Sequence, residues 1–320
     1  MGRGELDGWG CLGFKDRNRL MSLRGGAFPP KQSPRMKQET ASQQALAATY
    51  EIRGKMDLGL KNKRALVTSS SRGLGYAAAL LLAKEGCRVA VNSREEANAK
   101  RAAEIVNRET GANAQVIGLA GDVSLPDVPE KLIQQTVAAF GGLDILITNA
   151  GGPKSGSIDS LDDTAWQKGI DLCLMSHVRL IKAALPYLRK SDSASVLTVT
   201  SYSVKQPIPN LLISNSVRAA TAGLTKSLAL ELGREGIRLN SILPGWTETE
   251  RVEELMKARG EKNQTSPSDE KRMQVESTAL GRMGRPEEFA NAAVFLVSPA
   301  ASYITGVLLN VDGGIIQGTF

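Results

Sequence analysis

The stretch Lys63-Arg64-Ala65-Leu66-Val67-Thr68-Ser69-Ser70-Ser71-Arg72-Gly73-Leu74-Gly75 decides how this chain folds. Arg64–Thr68 is a short β-rich run, and a helical stretch follows from Leu74 to Glu85. The turn between them carries Gly73 and Gly75, which let a backbone come close to a ligand. A helix N-terminus directly behind such a turn presents unpaired N–H groups and a positive dipole end. A pyrophosphate is the ligand that this combination suits.

The same alternation continues outward. Strand-like runs at Arg88–Asn92, Gln115–Leu119, Leu143–Asn149, Ser195–Thr200, Arg238–Leu243 and Val307–Val311 are separated by helical stretches. The helices are read at Glu95–Thr110, up to about Phe140, Asp163–Lys190, Ile213–Gly233 and Pro286–Val297. Leu143–Asn149 is apolar enough to be buried on both faces. Strands joined by helix-length crossovers make a parallel sheet covered on both sides, a doubly wound α/β fold. Its ligand sits beyond the carboxyl ends of the strands.

Bulk composition narrows the function. Of the 320 residues, 42% are hydrophobic and 23% charged, as in an ordinary globular chain. The net charge of +7 is concentrated at one end: residues 1–55 hold ten Lys/Arg against five acids, which leaves only +2 on the other 265. A nearly neutral body gives no case for a nucleic-acid partner. Residues 1–55 lack a sustained period and are expected to lie outside the fold as a disordered or extraneous extension, with 56–320 forming one domain. A transit peptide fits them poorly because of the five acids, and a secretory signal fails for want of an apolar core. Cys11, Cys87 and Cys173 are few and scattered, which fits a reducing, cytoplasmic setting. His177 is the single histidine, so neither a histidine metal site nor a Ser-His triad is expected. No apolar run reaches membrane-spanning length.

Four further motifs follow in order: Gly121-Asp122-Val123, Asn149-Ala150-Gly151-Gly152, Pro244-Gly245 with Thr249, and Val311-Asp312-Gly313-Gly314. With the first turn, in which Ser69 stands where a glycine is usual, they resemble the short-chain dehydrogenase/reductase family from about Leu58 to Gly314. Gly281-Arg282-Met283-Gly284-Arg285-Pro286-Glu287-Glu288 is similar to the 3-oxoacyl-acyl-carrier-protein reductase branch. The resemblance implies a Rossmann-type fold and a nicotinamide dinucleotide. It places that cofactor against Ser69, Ser71, Arg72, Gly73, Leu74, Gly75, Asn92, Ser93, Arg94, Asp122, Val123, Asn149, Ala150, Gly151, Arg218, Pro244, Gly245 and Thr249.

The second strand ends Val91-Asn92-Ser93-Arg94, with no acid before Glu95. A carboxylate there would bind the ribose hydroxyls of NAD; Ser93, Arg94 and Arg72 instead offer bonds to a 2′-phosphate. NADP(H) is therefore the expected cofactor.

Members of the family transfer hydride with an Asn, Ser, Tyr and Lys tetrad. Ungapped alignment on Gly223–Ala229 puts Ser214 at the Tyr position and Arg218 at the Lys position, with Ser201 at the Ser position and Cys173 at the Asn position, although Cys173 also reads as a small buried core residue. An aliphatic hydroxyl is a far poorer acid than a phenol, and a guanidinium keeps its charge but cannot relay a proton. Tyr202 is the one neighbouring phenol that could substitute. His177 lies one helical turn beyond Cys173 and reads as a helix-interface or surface residue.

The segment from about 246 to 280 is expected to form a small substrate lobe, helical over Glu250–Arg259 and a mobile polar flap over Gly260–Ser268. These residues imply an NADP(H)-dependent oxidoreductase that interconverts a carbonyl, a 3-oxoacyl thioester or related ketone, and an alcohol with atypical proton delivery. The alternative is a catalytically impaired, nucleotide-binding pseudoenzyme or scaffold; lyase or isomerase chemistry ranks last. The family resemblance also implies a homodimer or homotetramer built through the long helices.

Overall fold

A computed structural model describes residues 57–111 and 115–319. The expectations for residues 1–55 fall outside these. Seven parallel strands form one sheet: β1 (Arg64–Val67), β2 (Arg88–Ser93), β3 (Val116–Ala120), β4 (Ile145–Thr148), β5 (Ser195–Val199), β6 (Arg238–Pro244) and β7 (Leu308–Val311). Their order is β3-β2-β1-β4-β5-β6-β7, so the chain reverses direction of travel between β1 and β4. Ala65 of β1 stands opposite Val89 on one side and Ile145 on the other. The central strands are buried on both faces, which explains their unbroken apolar character.

One layer holds α1 (Gly73–Lys84), α2 (Glu96–Thr110) and α9 (Pro286–Val297), and its core gathers Leu82, Val106 and Phe289 under the sheet. The opposite core joins the sheet to α3 (Val128–Phe140), α5 (Ser176–Leu188) and α6 (Leu212–Leu232) through Leu132, Leu180 and Leu232. Close contact between layers requires glycine at one point: a β-carbon on Gly118 in β3 would come within 2.4 Å of the Ala99 carbonyl of α2.

The structure departs from two expectations. The helix read as Asp163–Lys190 is α4 (Asp163–Ile170), a π-helical turn over Asp171–Met175, and α5. The wider π register turns the Cys173 carbonyl toward α6, where it accepts the Thr221 hydroxyl. The polar stretch read as a flap is a helical hairpin between α7 (Glu250–Asn263) and α8 (Pro267–Glu276). Gln264 takes the left-handed conformation that ends α7, and the Ser266 hydroxyl accepts the Asp269 N–H to cap α8. The buried Glu270 carboxylate accepts bonds from Thr265 Oγ1 and Asn263 Nδ2, and these hold its pKa below the ordinary carboxylate range. Polarity in this stretch serves helix ends and one buried acceptor, a pattern that composition does not distinguish from a loop.

Candidate active site

The carboxyl ends of β1, β2, β4, β5 and β6 surround one trough of about 1450 Å³. Its first wall is the turn after β1. Ser69 has φ of +46°, a conformation that favours glycine. Two side chains hold it there: Asn92 Oδ1 accepts its N–H at 3.0 Å, and Asn149 Nδ2 donates to its carbonyl at 3.0 Å. Gly73, at φ +59°, then starts α1. A β-carbon on Gly75 would lie 2.6 Å from the Ser69 carbonyl, so this glycine lets the helix close against its own turn.

Most of the expected cofactor residues line the trough: Ser69, Ser71, Arg72, Gly73, Leu74, Ser93, Arg94, Asp122, Val123, Asn149, Ala150, Gly151, Arg218, Pro244, Gly245 and Thr249. Gly75 and Asn92 do not. Gly75 is a packing position, and the Asn92 amide is turned inward, donating to the Leu119 and Gly121 carbonyls at 3.2 and 3.1 Å. Asn92 thus shapes the turn from behind. Gly245 packs so tightly that a β-carbon would sit 2.6 Å from Asp312 Cα, which links the Pro244-Gly245 and Asp312-Gly313-Gly314 motifs physically.

Four of the five expected catalytic residues, Ser201, Tyr202, Ser214 and Arg218, line the same trough at the β4–β5 end. Ser201 Oγ accepts the Ser203 N–H at 3.1 Å, which leaves its own hydrogen for the cavity. Ser214 is 9% exposed and makes no side-chain hydrogen bond to the described residues. Arg218, 7% exposed, donates from Nη1 to the Val199 and Thr200 carbonyls, both at 3.2 Å, and from Nη2 to the Gly151 carbonyl at 3.1 Å. It therefore ties the loop after β4 to the end of β5, and no carboxylate among the described residues bonds to it. The Tyr202 ring meets Trp246 edge-on at 5.9 Å, with the Arg259 guanidinium 5.2 Å from the Trp246 ring centre. Burial pushes the Tyr202 phenol up to about 12, with the Arg259 charge opposing the shift.

Cys173 lies outside the trough. It is fully buried beside Ile213 and Val217, and burial pushes its thiol pKa up. His177 is likewise buried between α5 and β4, where its Nδ1 shares a 2.6 Å hydrogen bond with the Thr148 hydroxyl. The trough wall also includes residues that the sequence reading passed over. Asn98, Arg101, Ala102 and Ile105 form one stripe of α2, for which helical spacing was an available signal. Lys168, Asp171 and Arg251 come from α4, the π turn and α7 with no local motif to mark them.

A doubly wound sheet with a dinucleotide-sized trough at its switch point defines a nucleotide-binding α/β protein. The comparisons with known proteins are more specific. Residues 68–316 match the family described as Enoyl-(Acyl carrier protein) reductase. The chain is 36% identical to Dehydrogenase/reductase SDR family member 4 of Bos taurus, across 81% of this chain and 88% of that one. It is 32% identical to the 3-oxoacyl-[acyl-carrier-protein] reductase of Chlamydia muridarum, across 80% and 98%. Among solved structures, L-sorbose reductase from Gluconobacter frateurii, complexed with NADPH and L-sorbose, is 31% identical with a TM-score of 0.78, covering 82% of this chain and all of that one. The chain belongs to the short-chain dehydrogenase/reductase family, oxidoreductases that act on carbonyls and alcohols with a nicotinamide cofactor. Among the described residues, no helix is long and apolar enough to cross a membrane.

Proposed function

We propose that this protein is an NADP(H)-dependent oxidoreductase that interconverts a carbonyl, a 3-oxoacyl thioester or related ketone, and an alcohol without a tyrosine acid. The observation that carries this reading is the gathering of Ser201, Ser214 and Arg218 at one end of a trough whose other end offers Arg72, Ser93 and Arg94. Glu95, the first acid after β2, takes the exposed N-cap position of α2 and also lines the trough, one residue beyond Arg94. The NADPH in the L-sorbose reductase complex and the names of the reductase relatives support the same reading.

When bound, the nicotinamide supplies the hydride. The residues of this chain orient and polarise. Ser201 and Ser214 donate hydroxyl hydrogens to the carbonyl oxygen, and the Arg218 charge favours the negative character that grows there. A guanidinium does not give up a proton at neutral pH, so the proton that completes the alcohol comes from water. Tyr202, with its pKa raised to about 12, is a poorer acid than a free tyrosine and serves as a wall of the substrate space. Cys173 serves packing.

The test is NADPH oxidation with the N-acetylcysteamine thioester of 3-oxobutanoate and a panel of neutral ketones. Turnover is expected, with Ser201→Ala lowering kcat by about a hundredfold. Micromolar NADPH binding with no turnover of any carbonyl would favour the scaffold reading, in which Arg218 braces two strands and does no chemistry.

A further inference from the structure

Two neighbouring stripes of α7 meet different parts of the molecule. Arg251 lies over Gly152 in the loop after β4, so close that a β-carbon there would come within 2.8 Å of its Nη2. Glu254, one turn on, reaches Arg251 at 3.4 Å and Arg72 of the phosphate turn at 3.9 Å. Val252, Leu255, Arg259 and Lys262 recur at steps of three and four and form the next stripe round the helix. Arg259 stands 5.2 Å from the Trp246 ring centre, and Lys262 Nζ donates to Asn210 Oδ1 at 2.7 Å. The second stripe therefore runs along Trp246 and the loop that leads into α6.

That wall is joined to Ser201 and Ser214 through the chain itself. Tyr202 directly follows Ser201, and its ring meets Trp246. Leu211 is the N-cap of α6, one turn before Ser214. Asn215 fastens the loop between them, accepting the Ile208 N–H at 3.2 Å and donating to the Ile208 carbonyl at 2.9 Å. Tyr202, Ile208, Trp246 and Met256 share one apolar cluster, against which Leu211, Val252 and Leu255 pack. Met256 is buried and lies outside the trough, as plain core would. Leu211, Val252 and Leu255 are only half-buried, and they line the trough with Ser201 and Ser214. The Trp246 N–H is buried, so its ring offers the cavity carbon and no donor. Of the other charges on the trough wall, Asp171 bonds to Arg179 at 3.0 Å, and Arg179 reaches the Ser124 carbonyl after β3 at 3.0 Å. Lys168 lies one turn before Asp171, and Glu250 also borders a second groove against α1 and α9.

We propose that the carbonyl substrate carries a neutral apolar substituent of several carbons, which packs between Leu211 of α6 and Val252 and Leu255 of α7, against Tyr202 and Trp246. This rests on the reductase reading above. The substituent takes no part in hydride transfer; its burial holds the carbonyl near Ser201 and Ser214. Leu255 is the specificity-determining residue, because it sits in the middle of the apolar stripe and is not fully covered by the protein.

The experiment compares the N-acetylcysteamine thioesters of 3-oxobutanoate and 3-oxooctanoate, which differ by four methylenes. Each methylene taken fully out of water favours binding by about fourfold. With part of the chain left in water, wild type is expected to show a kcat/KM at least about tenfold higher for the longer thioester, carried mainly by KM. Leu255→Asn should bring the ratio close to one. Val252→Thr, which keeps the shape and adds a hydroxyl, should lower it less. Calorimetric titration of the NADP⁺-saturated protein with both thioesters gives a readout that needs no turnover, and should show the longer one binding more tightly. Equal use of the two by wild type, or a preference that survives both substitutions, overturns the proposal. So does a loss of NADPH affinity in Leu255→Asn equal to the loss for the longer thioester, since that would place Leu255 on the cofactor. If neither thioester is reduced, the reductase reading fails, and the titration then decides the apolar site: tighter binding of the longer thioester supports it, and equal binding overturns it.

Discussion

Arg218 shows how one residue can keep a charge while changing its work. A lysine offers one ammonium on a flexible stem, whereas this guanidinium spans three carbonyls, those of Val199 and Thr200 at the end of β5 and of Gly151 in the loop after β4. Arg218→Lys should therefore destabilise the fold by about 1.5–3 kcal/mol for each charge-assisted bond lost, read from urea unfolding at neutral pH. A stability unchanged within error would mean that the three bonds are not held in solution. Ser214 offers the complementary test. Ser214→Tyr adds a phenol next to a cation that lowers its pKa, and turnover should rise if proton delivery by water limits the wild type. A fall in turnover with intact NADPH binding would show instead that the ring fills the substrate space. At the other end of the trough, Arg94→Ala should cost NADPH about tenfold or more in affinity and leave NADH little changed, by calorimetric titration. Tighter NADH than NADPH binding in the wild type would refute the assignment of the 2′-phosphate.

At the scale of elements, the π turn and α5 explain why the middle of the chain is unlike a plain long helix. The turn sends Cys173 into the core and places His177 against β4, out of reach of water. Burial holds the imidazole neutral, its pKa pushed down to about 3, and the nearby Arg218 charge adds to the effect. An unfolded chain takes up this proton near pH 6.5, while the folded protein refuses it until about pH 3. The contribution is complete above about pH 6.5 and is lost as the pH falls through that window, by up to about 1.4 kcal/mol per pH unit. Urea unfolding between pH 7 and pH 5 should show a shallower loss for His177→Gln than for wild type. Equal slopes would mean that the imidazole titrates normally in the fold.

The family resemblance places assembly at the scale of the whole molecule. Along α6 the outward face is Ser216, Ala219, Ala220, Gly223, Lys226, Ser227 and Leu230, with Leu230 76% exposed and nothing within 4 Å of a β-carbon at Gly223. Two such faces could approach closely about a twofold axis. Light scattering at micromolar concentration should give two or four times the 34.1 kDa chain mass, and Gly223→Arg should reduce it. A monomeric wild type would leave this face without the partner that the resemblance implies.

The strands, the doubly wound class and the end of the sheet that holds the trough were legible from the sequence because they rest on local signals, whereas the strand order came from the tertiary structure. Apolar runs such as Ile145–Thr148 must be buried on both faces, glycines such as Gly73 mark a turn by their conformation, and the five spaced motifs preserve register along the chain. The family resemblance implied that Ser201, Ser214 and Arg218 belong to one site, and all three line the trough. Composition misled where one residue type serves two purposes: the polar stretch from Gly260 to Ser268 caps helices, and Asn92 bonds its neighbours behind the turn. Tertiary structure alone decided that Arg218 is held by three carbonyls and that Arg251 lies over Gly152. Each depends on the distance between elements far apart in the chain, and spacing along a sequence carries no information about which way a side chain turns once two such elements meet.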